Sequence, residues 1–330
     1  AIFTANDVFA FVKDNAMQQF YVSENTKLAD LAKDLDKQGI INYGTVFKAY
    51  LAVKGDSADD VLAGEYQLNP SMDYGQIIDK LTNSSSSDTL QITIPEGYSV
   101  AQVRQLLLDN HVCTADALDK VLNQYPFKHD FLQDEKPVEE GWLEGYLFPD
   151  TYEFFVGENA SSVVKKFLSN GDSKISEKDR AQAKKLGYSM YEVMTIASII
   201  QKEAGSEKQM KTISSVIHNR LSDKTNFPSL GCQSTSDYIT NFVKPNLSST
   251  SAHTADYYLE YYNTQTTSTV VGLPAGPICN PGKAAIQAAL HPSDTGYYYF
   301  FHDTKGNLYT AKTYAEFKQK IQTYAPYLAA

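Results

Sequence analysis

The chain has 330 residues, 42% of them hydrophobic, which is enough for at least one full core and long enough for two or three units. A formal net charge of −10, with acidic residues spread along the whole chain, offers no basic stripe for a phosphate backbone and excludes nucleic acid as a partner. No stretch approaches the roughly 20 apolar residues that span a bilayer, and the first segment is broken by Asn6, Asp7, Lys13 and Asp14. The sequence starts at Ala1 rather than Met, so any membrane attachment is expected to come from a segment upstream of it. Cys113, Cys232 and Cys279 are too few for a disulfide framework and too scattered for a zinc site, and read as inert thiols. There is no His-Glu-x-x-His pair, no Gly-x-Ser-x-Gly elbow and no phosphate-cradling glycine loop, so most common catalytic schemes are unsupported.

The N-terminal third holds a weak internal repeat, found by setting Glu24 against Glu96, an offset of 96 − 24 = 72 residues. In the first copy Phe20 to Val22 reads as a strand, Glu24-Asn25-Thr26 as a turn, and Leu28, Leu31, Ala32 and Leu35 as one helix face before Gly39. In the second, Leu90 to Ile94 reads as the strand, Pro95-Glu96-Gly97 as the turn, and Val100, Val103, Leu106 and Leu107 as the helix face. Two such units are similar to LysM-like modules that bind N-acetylated sugars, although strand–turn–helix is also common in unrelated folds. Between them Asn83 to Asp88 is polar and low in complexity, which sets a domain boundary. The division is 1–83, a linker at 84–88, a second subdomain at 89–130 and a catalytic part at 131–330.

Helical patterns follow at 116–124, 160–170, 177–187, 190–204 and 207–221. A Ser/Thr/Asn/Tyr-rich stretch at roughly 226–271 shows little periodicity and reads as irregular. Ala284 to Leu290 reads as a helix, Tyr297 to Phe301 and Leu308 to Thr310 as a hairpin around Lys305-Gly306-Asn307, and a last helix opens at a Thr313/Glu316 capping box. The fold class is therefore α+β, with strand–turn–helix modules ahead of a mainly α domain that carries a small hairpin.

The helix at 190–204 opens on a second capping box, Ser189/Glu192, and Gly205 is placed to end it in a left-handed conformation. Ser206 and Gln209 read as a third box, giving two helices with almost no loop between them. Val193, Ile196, Ala197 and Ile200 share one face, and the track continues to Glu203. A carboxyl there loses hydration and meets the negative end of the helix dipole; both effects favour the protonated form, which glycosidic cleavage requires of its acid. The alternative is an ordinary exposed helix end. Lys202 projects about 100° away around the helix and is expected in solvent rather than against Glu203.

Four ordered blocks give the chain a specific resemblance to the MltG/YceG-like family of endolytic murein transglycosylases. They are Leu143-Glu144-Gly145-Tyr146-Leu147-Phe148-Pro149-Asp150-Thr151-Tyr152, then Ala197-Ser198-Ile199-Ile200-Gln201-Lys202-Glu203-Ala204 with Val216 to Leu221, then Tyr262-Asn263-Thr264, then Gly272 to Gly282. The resemblance covers roughly 90–318 and places the family's catalytic glutamate on Glu203. It implies that Glu203 first protonates the bond between N-acetylmuramic acid and N-acetylglucosamine. Glu203 then removes the muramic C6 hydroxyl proton, so that a 1,6-anhydro ring closes without water, metal or organic cofactor.

The resemblance also implies peptidoglycan strands as substrate, the outer face of the bacterial cytoplasmic membrane as location with a single-pass anchor upstream, and cell-wall synthesis or division proteins as candidate partners. Glu144, Tyr152, Asn219, Gln233, Asn263 and Asn280 are the candidates for positioning sugars. For Glu144 a structural role stands beside the sugar role. Asn280 reads either as an amide held rigid by Pro274, Pro277 and Pro281 or as an Asn bonding its own turn. Two positions depart from the family pattern: Thr235 stands where an Asp is usual, with Asp237 two residues on, and Gln265 replaces a Tyr. Two rivals stay in view: a muramidase with a second carboxylate, and a silent peptidoglycan-binding scaffold, to which the altered 232–238 loop points.

Overall fold

Alternation of buried and exposed side chains builds the first sheet. Strand β1 (Gln18–Val22) buries Phe20 and Val22, and β2 (Gly64–Leu68) buries Tyr66 and Leu68 on the face they share. The two strands are antiparallel, with Phe20 opposite Tyr66. Between them run α1 (Leu28–Lys37), whose Leu31, Ala32 and Leu35 are buried, and α2 (Gly44–Lys54), which buries Phe47 and Leu51. Gly39, at φ 73°, takes the left-handed turn that lets Ile40 and Ile41 both donate back to Leu35 O. Helix α3 (Tyr74–Asn83) closes this core with Tyr74, Ile77, Ile78 and Leu81, and Tyr66 OH donates to Leu81 O at 3.3 Å.

The computed structural model describes residues 18–329 except 24–25, 27, 55–60, 62–63, 84–88, 125–142, 156–157, 159, 248–250, 252 and 267. The run 84–88, read above as a linker, and part of the first copy's turn lie outside the described residues. The second copy follows the same order: β3 (Thr89–Thr93), α4 (Val100–Asp109) and α5 (Ala115–Gln124), then β4 (Thr151–Phe155), which pairs with β3. Both copies are thus strand–helix–helix–strand, and α1 shifted by 72 residues coincides with α4.

The remaining helices are α6 (Ala160–Lys174), α7 (Glu177–Leu186), α8 (Met190–Glu203), α9 (Glu207–Ser222), α10 (Gln233–Tyr238), α11 (Ala255–Tyr262), α12 (Lys283–Leu290) and α13 (Tyr314–Tyr324). A hairpin of β5 (Tyr299–His302) and β6 (Leu308–Ala311) precedes α13. The described residues fall into two compact units: one takes those up to 92 with 107–121 and 152–163, the other 93–106, 122–151 and 164–330. Among the described residues no helix is long and apolar enough to cross a membrane.

In the second unit α8 is buried from Val193 to Ile200, and its closest partner is α12, whose Ala285, Ala288 and Ala289 are small enough for tight approach. The Ser189/Glu192 box is present in both directions. The end of α8 differs from expectation. Ala204 caps it in an extended conformation (φ −82°, ψ 127°), and Gly205 is not left-handed. Nor does Ser206 cap α9 with its side chain; Gln209 instead accepts from Gly205 N at 2.9 Å and donates to Gly306 O at 2.9 Å. The glutamine is drawn away because the hairpin offers it a tertiary partner. Thr313 caps α13, but Glu316 accepts from Lys312 N rather than from Thr313 N.

The stretch read as irregular contains α10, a π turn at Ile239–Val243 and α11. Their buried faces are made of Thr235, Ser236, Tyr238, Ile239, Tyr258 and Tyr262, so an apolar count misses a periodicity carried largely by tyrosines and hydroxyl residues.

Candidate functional site

Glu203 ends α8 on the track of Val193, Ile196, Ala197 and Ile200, all fully buried, and is itself half-buried. Its Oε1 accepts from Ser234 Oγ at 2.6 Å. Desolvation raises the Glu203 pKa; the Ser234 hydroxyl and backbone N–H pull it partly back, and Asp237 pushes it further up. The group is thus held toward the protonated form, as an acid must be. Lys202 is exposed, with Nζ 3.5 Å from Gly97 O and 5.9 Å from the centre of the Phe242 ring.

The segment facing Glu203 is set by hydrogen bonds. Thr235 is fully buried: its Oγ1 donates to Cys232 O at 2.8 Å and accepts from Thr264 N at 3.0 Å. An aspartate there would desolvate a charge, whereas threonine's hydroxyl satisfies both neighbours. Arg220 anchors the same segment from α9, donating to Leu230 O and to Tyr298 O between the rings of Phe227 and Tyr299. Cys232, buried beside Glu203, has its thiol pushed well up by burial.

Gln233 lies in this patch. Its Nε2 donates to Asp237 Oδ1 at 2.9 Å and to Ser236 Oγ at 3.0 Å, and its Oε1 accepts from Gln265. Asn263 joins through Gln265, whose N–H donates to Asn263 Oδ1 at 3.0 Å. Gln265, the residue that departs from the family pattern, therefore ties α10 to the turn after α11.

The other candidates lie elsewhere. Glu144 is deeply buried; both carboxyl oxygens accept from Val100 N, at 3.0 and 3.1 Å, and Tyr238 OH donates to Oε2 at 3.0 Å. Burial pushes its pKa up to about 8 against those donors. Asn280 is fully buried and bonds outside its own turn: Oδ1 accepts from Leu147 N at 2.9 Å and Nδ2 donates to Tyr98 O at 2.8 Å. Asn219 donates to Thr295 O and Tyr297 O, both at 2.8 Å. Tyr152 belongs to the first unit, buried and stacked on Phe154 at 5.8 Å.

The proline- and glycine-rich segment around Asn280 is laid along α8. Tyr191 OH donates to Ala275 O at 3.0 Å, Ser198 Oγ accepts from Ile278 N at 3.0 Å, and Gln201 Oε1 accepts from Gly282 N at 3.0 Å. A Cβ on Gly276 would overlap the Tyr191 hydroxyl, so only glycine permits this approach. Sequence reasoning missed Ser234 and Tyr238, the residues that contact the two buried carboxyls; the signal was their place in the Cys232 to Tyr238 segment already marked as unusual.

The endolytic murein transglycosylase of Bacillus subtilis (strain 168) is 28% identical over 92% of this chain and 83% of its own length. That of Streptococcus pneumoniae (strain D39) is 26% identical over 91% of this chain, which spans only 57% of that protein. A crystal structure of a yceG-like protein from Listeria monocytogenes matches with a TM-score of 0.56 and 28% identity, covering 93% of this chain and 99% of that one. The model of the YceG-like family matches residues 20–323, nearly the whole sequence, and the chain belongs to that family.

Proposed function

We propose that this protein is an endolytic murein transglycosylase that cuts peptidoglycan strands with Glu203 as its acid and base. The observation that carries the reading is Glu203 itself: a carboxyl at the end of a buried apolar track, its pKa raised by burial, in a family whose curated relatives are named for this activity. Protonated Glu203 donates to the glycosidic oxygen as the bond to muramic C1 breaks. The carboxylate left behind takes the C6 hydroxyl proton as that oxygen bonds to C1, and the 1,6-anhydro end forms. The proton count closes on one residue.

Gln233 and Asn263, joined through Gln265, are the proposed sugar-positioning residues, since they share a patch with the segment that holds Glu203. Glu144, Asn219 and Asn280 act by shaping the loops instead: the two asparagines bond backbone groups of other segments, Glu144 bonds Val100 N and the Tyr238 hydroxyl, and none of these bonds goes to Gln233, Asn263 or Gln265. The two strand–helix–helix–strand units support a LysM-like reading of the N-terminal part, with the division near 83–88 kept as the proposed boundary. Action on the outer face of the cytoplasmic membrane, with an anchor outside this sequence, and contact with cell-wall synthesis or division proteins belong to the same proposal.

One observation favours a second reading. Asp237 acts electrostatically on Glu203 and could serve a muramidase as second carboxylate. Mass spectrometry of purified sacculi after incubation with the protein separates the two: transglycosylation leaves anhydro-muramic ends, hydrolysis leaves reducing ends. Reducing ends alone would overturn the proposal.

A further inference from the structure

Glu203 has two carboxyl oxygens, and a group that donates a proton and later recovers one works best if the same oxygen does both. The residue that distinguishes the two oxygens comes from a different element. Ser234, the second residue of α10, directs its hydroxyl to Oε1 at 2.6 Å, and its backbone N–H also favours the ionised carboxyl. The contact spans 31 residues of sequence, so it is made by the fold and not by the helix that carries Glu203.

The surroundings hold Ser234 in place. One residue on, Thr235 is locked to Cys232 O and to Thr264, and one residue back, Gln233 is tied to Ser236, Asp237 and Gln265. The hydroxyl is thereby carried on a fixed turn. At 2.6 Å it lies at the short end of the range for O–H···O bonds.

We propose that Ser234 is a positioning residue for the acid–base cycle: by occupying Oε1 it leaves Oε2 as the oxygen that carries the proton to the glycosidic bond. The inference rests on the assignment of Glu203 as acid. In the first step the proton leaves Oε2 for the glycosidic oxygen while the C1–O bond breaks, and the negative charge left on the carboxylate is stabilised by the Ser234 hydroxyl. In the second, the same carboxylate takes the C6 hydroxyl proton as the O6–C1 bond forms. No proton is gained or lost by Ser234, whose part is to orient the carboxyl and stabilise its anion.

The groups that act on the Glu203 carboxyl define how its titration should respond. Asp237 faces it from α10, the buried Cys232 thiol lies beside it, and Arg220 reaches that thiol's surroundings from α9. Asp237 works against ionisation and Ser234 works for it. Removing the hydroxyl leaves only the Ser234 backbone N–H against Asp237 and burial, so the Glu203 pKa should rise further and the alkaline limb of the activity profile should move to higher pH.

The experiment compares wild type, Ser234→Ala, Ser234→Gly, Ser234→Thr and Glu203→Gln on purified glycan strands, with kcat, KM and pH profile measured and circular dichroism confirming the fold. Either of the first two variants carries the comparison should the other fail to fold. The expected result is a fall in kcat of about 10- to 100-fold with KM unchanged, the alkaline limb displaced upward, and Ser234→Thr restoring both rate and profile. A folded Ser234→Ala or Ser234→Gly with wild-type kcat and an unmoved limb, beside an inactive Glu203→Gln, would overturn the role of Ser234 and leave Glu203 as acid. An active Glu203→Gln would overturn the assignment of the acid, and this inference with it.

Discussion

Asn280 and Glu203 are both polar groups drawn into apolar surroundings, and their partners separate what each can do. Asn280 spends Oδ1 and Nδ2 on the backbone of two other loops, so replacing it with Ala strands Leu147 N and loses a donor to Tyr98 O. Asn280→Ala should cost about 1–3 kcal/mol of stability, with cleavage falling only as the folded fraction falls. Thermal unfolding measured beside glycan cleavage tests this: an unchanged Tm with lost cleavage would return Asn280 to the substrate. That Glu203 continues the buried track of α8 was legible in the sequence, because periodicity marks an interruption of an apolar face, whereas its proposed role as acid comes from the family resemblance. Ser234 was not legible, because a serine on a six-residue helix breaks no pattern and its partner lies 31 residues away. The same limit applied to Asn280, whose prolines suggested rigidity but not which loops it would join.

Elements were readable where the capping chemistry is local. The Ser189/Glu192 box opens α8 as its spacing suggests, and Ser189→Ala should destabilise the protein by about 1 kcal/mol, seen as a lower midpoint in urea with unchanged slope. A midpoint equal to wild type would mean that the tertiary packing of α8 alone fixes its start. The end of the same helix was misread, because Gln209 takes the Gly205 N–H and is itself bonded to Gly306 O of the β5–β6 hairpin, and a partner about 100 residues away overrides the local rule. For α10 and α11 the pattern was present but written in Thr235, Tyr238, Tyr258 and Tyr262, residues whose polar atoms disguise a buried face.

At the scale of the whole molecule, the repeat of 72 residues was visible from one aligned pair of glutamates, and the structure extends it to two complete strand–helix–helix–strand units. The pairing of β3 with β4, across a long intervening segment, had no local signature. Stability should also carry a pH signature from the buried carboxyls. Burial pushes Glu144 up to about 8, and burial with the nearby Glu158 charge pushes Glu65 up to about 8. Unfolded, each would release its proton near the ordinary value of 4.5, so between these values the folded state binds more protons. Their contribution is therefore complete below about 4.5 and is lost as pH rises through about 8, at up to about 1.4 kcal/mol per pH unit for the fully buried Glu144. Denaturant titrations of wild type and Glu144→Gln across this window should show a shallower decline in the variant; parallel curves would mean that Glu144 stays ionised in the folded protein. The assignment of the acid is tested most directly by the yield of anhydro-muropeptides from sacculi treated with wild type and with Glu203→Gln across pH, circular dichroism confirming that both are folded. Wild-type yield should fall as pH rises through the raised pKa of Glu203, and the folded variant should lose cleavage by at least about 100-fold at every pH. A folded Glu203→Gln that releases anhydro products at a rate close to wild type would contradict the assignment.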